Sequence, residues 1–385
     1  MTNELSLCAL ALCLLASATF LPNTCQSQSG AAADKSGSRH GAGEGTAPCP
    51  MSAMTMPPVP PGAAAAGPPP KIPMATSVAP ADTSTSQVIR PDPSDQITCG
   101  KVRVRTFADV VFAEPTLRDG KPLPLRMDVL VPEPAGTRRP LVVYIPGGGF
   151  VMSAKESALN LRTYVAEAGF VVASIQYRTL PVGANYRDGI SDVKSAIRYL
   201  RANADRYGID PRRVAVWGES AGGYLAAMVG VTNGNASFEA GPDLHQSSVV
   251  QAVVDKFGAS DMSKIASDFD PQTQSMYAGA NPVMAYVGAD VTTAASPLSY
   301  IKAGDPPFLI FHGTADRLVS PSQTLVLHNA LKAGGVHSTR YLLEGAGHGD
   351  LSFMGDFQSG LPWSSRQTMA IITDFLRQTL GSARP

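Results

Sequence analysis

The feature that most constrains this chain is W-G-E-S-A-G-G at residues 217–223, which follows the apolar run R-V-A-V-W and precedes the helix-like Y-L-A-A-M-V. It contains the pattern G-x-S-x-G. In a strand–turn–helix context this pattern strains the serine backbone and exposes its hydroxyl at the edge of a sheet, while the glycines let strand and helix approach. We therefore predict that Ser220 is a nucleophile at the carboxyl end of a strand.

Beyond residue 96, apolar β-branched runs alternate with segments whose apolar residues recur at helical spacing. This alternation predicts an α/β domain with a mostly parallel eight-stranded sheet, helices on both faces and functional loops at the carboxyl ends of the strands. Residues 261–300 have little periodicity, and we expect them to form a small cap insertion. The predicted strands are 102–107, 127–131, 141–145, 171–177, 214–217, 249–254, 308–311 and 340–343; the predicted helices are 158–168, 188–207, 221–230, 322–333 and 366–380.

A serine nucleophile needs a base, and the base needs a group that orients it. Among the six histidines, His348 lies in the glycine-rich loop E-G-A-G-H-G-D, which follows the last predicted strand. We predict His348 as the base. His312 directly follows the strand F-L-I-F; it is the alternative base, but we expect it to stay neutral and support the loop that carries the acid.

The predicted acid is Asp316 in F-H-G-T-A-D-R-L-V-S, between a strand end and the next helix. This gives the chain order nucleophile, acid, base that accompanies the strand–turn–helix serine. Asp350 and Glu344 are closer to His348 in sequence. A carboxylate on the same loop rarely reaches Nδ1 of the imidazole while leaving Nε2 directed at the serine, so we favour Asp316.

Three consecutive glycines end the third strand in Y-I-P-G-G-G-F, residues 144–150. A tight turn is one interpretation. A dinucleotide loop is another, but the G-x-G-x-x-G spacing and a following acidic residue are missing. Acyl transfer needs backbone N–H donors for a developing oxyanion, and we predict that Gly148, Gly149 and Ala221 supply them. We expect Phe150 and Tyr224 to lie near the nucleophile and to contact substrate; ordinary packing of the two rings is the alternative.

Taken together, P-G-G-G-F, the run Y-G-I-D-P-R-R-V-A-V-W-G-E-S-A-G-G-Y-L-A, D-P-P-F-L-I-F-H-G-T-A-D-R-L-V and E-G-A-G-H-G-D resemble the serine esterases of the α/β-hydrolase superfamily. The nearest likeness is to the hormone-sensitive-lipase-like and bacterial feruloyl-esterase-like branches, over residues 101–380. In one respect the chain departs from this pattern: relatives usually carry histidine where this chain has Pro146, which puts the support of the glycine loop in doubt.

The resemblance implies an α/β-hydrolase fold that hydrolyses carboxylic esters through an acyl-enzyme, without a cofactor or metal. The lack of a long apolar lid in the sequence favours short-chain or aryl esters, and by analogy with this branch we expect acetyl or feruloyl esters of polysaccharides among the substrates. Two alternatives stay open at this point. One is a serine peptidase of the prolyl-oligopeptidase type; the other is a catalytically silent hydrolase fold that only binds.

The first residues form a separate segment. Residues 7–18 are an apolar run too short to span a bilayer, and the run ends in the small-residue site Ala16-Ser17-Ala18. We expect a signal peptide at 1–24, with an atypical start that lacks Lys and Arg, and hence a secreted or periplasmic protein. A mis-assigned start codon or a loose apolar tail is the alternative. Residues 25–95 are rich in Ala, Gly, Pro and Ser and predict a disordered linker before a catalytic domain at 96–385.

Charge and cysteine content narrow the partners. Lys+Arg 31 equals Asp+Glu 31, so no net charge favours nucleic acid, and no run is long enough to predict a stable membrane span. Outside the presumed signal lie Cys25, Cys49 and Cys99, and a bridge between Cys49 and Cys99 is one possible pairing. The absence of cysteine after Cys99 excludes a thiol nucleophile further along. The expected partner is a small-molecule or polysaccharide ester; the sequence does not specify an oligomeric state.

Overall fold

The computed structural model describes residues 47–51, 72–134, 136–279, 281–351 and 358–381. Within them lies one nine-stranded mixed sheet with the order β2-β11-β10-β9-β8-β6-β7-β5-β4. The strands from β7 across β6, β8, β9, β10 and β11 to β2 run parallel, and β4 and β5 pair antiparallel at the other edge. The bounds are β2 Gln87–Ile89, β4 Val104–Ala113, β5 Leu125–Pro132, β6 Arg139–Ile145, β7 Val171–Ile175, β8 Ile209–Glu219, β9 Ala252–Lys256, β10 Phe308–Gly313 and β11 Ser338–Leu343.

Helices cover both faces of this sheet, as the α/β pattern predicted. Successive side chains of a strand point to opposite faces, so alternate residues of β6 enter two different cores. Leu141, Val143 and Ile145 pack with helices α2, α4 and α7, whereas Val142 and Tyr144 pack with α1 and α8. The bounds are α1 Leu159–Glu167, α2 Tyr186–Ala202, α3 Ala204–Tyr207, α4 Ala221–Val231, α7 Ser322–Ala333 and α8 Arg366–Leu380.

The cap insertion lies between β9 and β10. It holds the short helices α5 (Pro271–Ala278) and α6 (Pro282–Val287) with 3-10 turns around them. Each helix begins at a side-chain cap followed by proline: Asp270 accepts from the amide of Thr273, and Asn281 accepts from the amide of Met284. Proline at the first helical position is compatible with such a start, since its missing N–H would have no partner there. The capping residues and prolines start these helices locally, and the helices are too short to show a periodic pattern of apolar residues in the sequence.

The sheet has one strand more than the eight predicted, and this strand comes from residues placed before the predicted linker boundary at residue 95. Residues 87–89 add a ninth strand, β2, which pairs in parallel with β11 at the edge of the sheet. The amide of Glu344 also donates to the carbonyl oxygen of Ile89 (2.9 Å). Three residues among Ser, Thr and Pro are too few to show a period of two, and Val88 is 44% exposed. The strand therefore depends on backbone pairing rather than on a buried face of its own.

A disulfide joins Cys49 to Cys99, beside the two-stranded pairing of β1 (Ala47–Pro48) with β3 (Thr98–Cys99). Both cysteines are buried in the core that contains α1 and α8. The bridge therefore fastens residues 47–51 to the domain. The predicted signal peptide at 1–24 and residues 25–46 and 52–71 of the predicted linker lie outside the described residues. In the part of the chain that the structure describes, no helix is both long and apolar enough to cross a bilayer.

Candidate active site

Ser220 occupies the sharp turn between β8 and α4 that the sequence predicts. Its backbone has φ 55° and ψ −120°. This positive φ is energetically unfavourable for any residue other than glycine. The flanking glycines are required by contact. A Cβ at Gly218 would overlap the carbonyl of Gly222, and a Cβ at Gly222 would overlap the carbonyl of Ile145. The turn is therefore held closely against the end of β6, with the Ser220 side chain at the carboxyl edge of the sheet.

The three predicted catalytic residues lie in one hydrogen-bonded chain. Nε2 of His348 is 2.8 Å from Oγ of Ser220, and Nδ1 of His348 is 2.7 Å from Oδ2 of Asp316. Because a carboxylate only accepts, Nδ1 carries the proton and Nε2 accepts from the serine hydroxyl. This is the tautomer that a base needs in order to remove the serine proton. Residues 128 positions apart in the chain thus meet in a geometry suited to nucleophile activation.

Asp316 is completely buried, and several donors satisfy it. Its Oδ1 accepts from the amides of Leu318 (2.9 Å) and Val319 (3.0 Å), while its Oδ2 faces both His348 and His312. Burial by itself would raise the pKa of this carboxyl, but the nearby imidazoles and their hydrogen bonds hold its pKa below the usual range. Asp316 is therefore an anion in the folded protein and can stabilise a positive charge on His348.

His312 supports the acid loop, as we expected. Its Nε2 lies 3.0 Å from the carbonyl oxygen of Val319 and 3.1 Å from Oδ2 of Asp316; both are acceptors, so this nitrogen carries the proton. Nδ1 lies 2.9 Å from Oγ1 of Thr324, which can donate to it. Burial lowers the pKa of His312, although Asp316 acts in the opposite direction. His312 is therefore a neutral brace, and neither ring nitrogen is directed at Ser220.

The glycine loop lies directly against the nucleophile. A Cβ added at Gly147 would be 3.2 Å from Cβ of Ser220. Gly148 and Gly149 have φ 139° and 58°, values that residues other than glycine rarely adopt. Among the described residues, no acceptor pairs with the amide of either glycine. Ala221 is the first residue of α4, and its N–H has no partner within the helix. The glycine loop thus approaches Ser220 at Gly147, and the role of Gly148, Gly149 and Ala221 as oxyanion donors stays a prediction.

The glycine loop is supported at Pro146 by a tyrosine. The buried hydroxyl of Tyr177 donates to the carbonyl oxygen of Pro146 (3.0 Å). Further along, the amide of Leu180 donates to the carbonyl of Phe150 (2.9 Å), and Oγ of Ser153 donates to the carbonyl of Tyr177 (2.8 Å). The segment after β7 therefore holds the glycine loop in place through these hydrogen bonds. The order of residues in the sequence does not show this role.

The expectation that Phe150 and Tyr224 contact substrate is wrong. Phe150 is 3% exposed and stacks on Tyr286 with ring centroids 4.3 Å apart. Tyr224 is 0% exposed, meets Phe150 edge to face, and its hydroxyl donates to the carbonyl of Ala295 (2.7 Å). Because both rings are used in packing the cap onto the domain, they support the site from below and leave no surface for a ligand.

Two further groups beside the nucleophile escaped the sequence analysis. Phe257, which follows β9 with φ 44°, places its ring 4.6 Å from the ring of His348. Lys256 is buried, pairs with Glu219 next to the nucleophile (2.6 Å), and lies 5.0 Å from the ring of Trp363. Their position at the carboxyl end of a central strand is the signal that could have found them.

Within the described ranges, no cluster of His, Cys, Asp or Glu could hold a metal ion. The imidazole of His348 and the carboxylate of Asp316 are the groups linked to Ser220 by hydrogen bonds. This arrangement can deprotonate a hydroxyl, return the proton and stabilise an oxyanion.

The family model BD-FAE matches residues 127–331, which include Ser220 and Asp316 and more than half of the chain. The chain belongs to the BD-FAE family. This membership confirms the resemblance to α/β-hydrolase serine esterases of the feruloyl-esterase-like branch.

Named relatives and solved structures agree with that family. The esterase LipQ of Mycobacterium tuberculosis is 28% identical over 256 residues, which are 64% of this chain and 57% of LipQ. A truncated carbohydrate esterase from gut microbiota superposes with a TM-score of 0.56 at 27% identity, over 76% of this chain and 99% of that one. Thermogutta terrifontis esterase 2, phosphonylated by sarin, gives a TM-score of 0.58 at 26% identity, over 74% and 97%. These structures confirm the α/β-hydrolase fold of this BD-FAE member.

The chain spans only about half the length of the curated relatives it matches: 57% of LipQ, 53% of the esterase LipC and 43% of the probable carboxylic ester hydrolase LipM, all from Mycobacterium tuberculosis.

Proposed function

We propose that the protein is a serine carboxylesterase that hydrolyses short-chain or aryl esters through an acyl-enzyme. The observation that carries this proposal is the continuous hydrogen-bonded chain from Ser220 through His348 to Asp316, at a turn where Ser220 has φ 55°. A dead hydrolase fold used only for binding would have no need of this strained turn, which costs the fold about 1–3 kcal/mol.

The geometry suggests how the reaction would proceed. Oγ of Ser220 attacks the ester carbonyl carbon while Nε2 of His348 takes its proton. Nε2 then gives that proton to the departing alkoxide oxygen, and the acyl group stays on Ser220. Water, deprotonated by the same nitrogen, attacks the acyl-enzyme, and the serine leaves with its proton restored. Asp316 stabilises the transient imidazolium, and the amides of Gly148, Gly149 and Ala221 receive the oxyanion.

The substrate class follows from the cap and from the family. The cap insertion holds short helices, and its aromatic side chains Phe269, Tyr277 and Tyr286 are almost completely buried. A compact cap of this kind suits small acyl or aryl groups better than long acyl chains. A carbohydrate esterase among the structural neighbours supports acetyl or feruloyl esters of polysaccharides as the natural substrates. We propose these as the preferred class.

We also propose that the protein works outside the cytoplasm, in the periplasm or secreted. The buried Cys49–Cys99 disulfide supports this, since disulfides persist mainly in oxidising compartments. The apolar segment at 7–18 with its small-residue site is the second support.

The function is tested by comparing the wild type with Ser220→Ala on p-nitrophenyl esters from acetate to palmitate and on a dipeptidyl amide. We expect the wild type to prefer the short esters and Ser220→Ala to lose about 1,000-fold or more in kcat. A fluorophosphonate probe should label Ser220, identified by peptide mass spectrometry, and should not label the variant. Ester hydrolysis that survives Ser220→Ala would disprove the mechanism, and amide cleavage as fast as ester cleavage would favour the peptidase.

A further inference from the structure

Residues 72–79, which we call the strap, lie across three loops at the edge of the active site. This segment falls within the predicted disordered linker, yet Ala75 is 0% exposed. The strap approaches the glycine loop at its first residue, the acid loop at its centre and the cap at its end.

The contact with the acid loop involves backbone groups on both sides. The amide of Ala75 donates to the carbonyl of Arg317 (2.9 Å), and Nε of Arg317 donates back to the carbonyl of Ala75. Tyr277 joins the same two segments, since its hydroxyl lies 3.2 Å from the carbonyl of Pro73 and 2.8 Å from that of Leu318. The strap is thereby fixed to the two residues that follow Asp316.

The contact with the cap fixes the other end of the strap. Thr76 donates from its amide (2.9 Å) and its hydroxyl (2.8 Å) to Oδ2 of Asp270, the residue that caps α5. Val78 forms an isolated antiparallel bridge with Phe269, and the amide of Ala79 donates to the carbonyl of Asp268 (2.7 Å). Hydrogen bonds on both sides of position 75 hold the strap in one register, so the side chain at its first residue has a defined place.

That first residue is Ile72, and it lies on the glycine loop. A Cβ added at Gly149 would overlap Cδ1 of Ile72, so the isoleucine side chain covers the glycine from the side where a residue would project. Ile72 is only partly buried and packs against the main core. An apolar side chain thus borders a predicted oxyanion donor and keeps a partly open face, as the wall of an ester-binding site would.

We propose that the strap forms one wall of the substrate site and that Ile72 limits the size of the ester group that binds beside Gly149. This inference rests on the proposed esterase function. In a hydrophobic pocket the addition or loss of a methylene changes kcat/KM by roughly ten-fold or more, so a branched side chain at this position is sufficient to set a size preference.

The experiment measures kcat/KM of the wild type, Ile72→Ala and Ile72→Trp on two ester series. One series varies the acyl group, with p-nitrophenyl acetate, butyrate and hexanoate; the other varies the alcohol, with methyl, butyl and benzyl acetate. We expect Ile72→Ala to raise the ratio of the largest to the smallest ester about ten-fold in one series, and Ile72→Trp to lower it by a similar factor. The series that responds shows which side of the ester meets Ile72.

Val78→Ala is the matched control, because it also shortens an apolar side chain of the strap but faces Phe269 rather than Gly149. It should leave both ratios unchanged. Ratios that stay at the wild-type value in both series for Ile72→Ala and for Ile72→Trp would overturn the inference. That result is distinct from failure of the proposed function, which would appear as no ester hydrolysis by the wild type or as hydrolysis that persists in Ser220→Ala.

Discussion

Two histidines contact the same carboxylate from different regions of the molecule. His312 lies at the end of β10 inside the sheet and is 0% exposed; His348 lies on the loop after β11, at the surface of the site. Their nitrogens are 3.1 and 2.7 Å from Oδ2 of Asp316. The two histidines differ in the partner of the other ring nitrogen, the one that does not face Asp316. In His348 it meets Oγ of Ser220, and in His312 it meets the hydroxyl of Thr324.

The comparison shows that contact with an acid does not make a histidine a base. Burial lowers the pKa of His312 and keeps the ring neutral, so Asp316 gains a hydrogen bond from it without a second full positive charge. The negative charge of Asp316 is then available to the imidazolium that forms at His348. The two histidines thus have different roles, which substitutions can separate.

The largest effect is expected from His348→Ala. Without the base the serine proton has no acceptor, and kcat should fall by roughly 10⁴–10⁶-fold. The measurement is p-nitrophenyl acetate hydrolysis, with thermal unfolding followed in parallel to show that the variant is folded. A folded His348→Ala protein that keeps a tenth of the wild-type kcat would contradict the assignment.

Asp316→Asn should follow, with a loss in kcat of roughly 10³–10⁴-fold. The amide NH₂ would face the N–H groups of both His312 and His348, so at least one ring must change tautomer or turn. The variant should also lose stability, since a buried group would have donors opposed to donors. Asp350→Asn is the control: if it were the more damaging of the two, the acid would have been assigned to the wrong residue.

His312→Gln should have a moderate effect that splits stability from activity. We expect a loss of about 1–3 kcal/mol in unfolding free energy, from broken buried hydrogen bonds, and a fall of about ten-fold in kcat through displacement of the acid. His328→Gln is the matched control. His328 is also buried and contacts a hydroxyl, of Ser338 (2.8 Å), and the carbonyl of Thr85 (3.0 Å), but it lies away from Asp316. It should lose stability and keep kcat; equal kcat in both variants would refute the bracing role.

The smallest effect concerns stability against pH. The pKa of His312 is lowered in the folded protein, so as pH falls below about 6.5 the unfolded chain takes up a proton that the folded chain refuses, and stability declines. One such group contributes up to about 1.4 kcal/mol per pH unit.

His312→Gln should therefore flatten the decline between pH 7 and 5, above the range in which Asp316 titrates in the unfolded chain. Burial raises the pKa of Asp192 to about 6 and of Asp255 to about 7. These two carboxyl groups make the folded protein more stable as the pH falls, which opposes the effect of His312. The quantity to measure is therefore the difference between variant and wild type in the free energy of unfolding by urea, determined at each pH. A difference that does not change with pH would show that His312 titrates alike in both states.

Much of the fold and the central site could be predicted. Helices α7 and α8 begin and end where the apolar spacing indicated, and Ser220, Asp316 and His348 form the predicted hydrogen-bonded chain. The strand–turn–helix pattern and the order of strand ends carry this information locally. Errors arose where a segment has no buried face of its own, as in β2, or where a ring near the nucleophile was taken for a ligand contact, as with Tyr224.

The sequence by itself determined the alternation of strands and helices, the strained serine turn and the identity of the three interacting side chains. Periodicity records which face of each segment is buried, and a motif records chemistry within a few residues. The tertiary structure decided that Tyr177 braces Pro146, that His312 shares Asp316 with His348, and that residues 72–79 cross the acid loop near Arg317. These contacts join segments brought together only by the strand order of the sheet, so neither periodicity nor motif contains them.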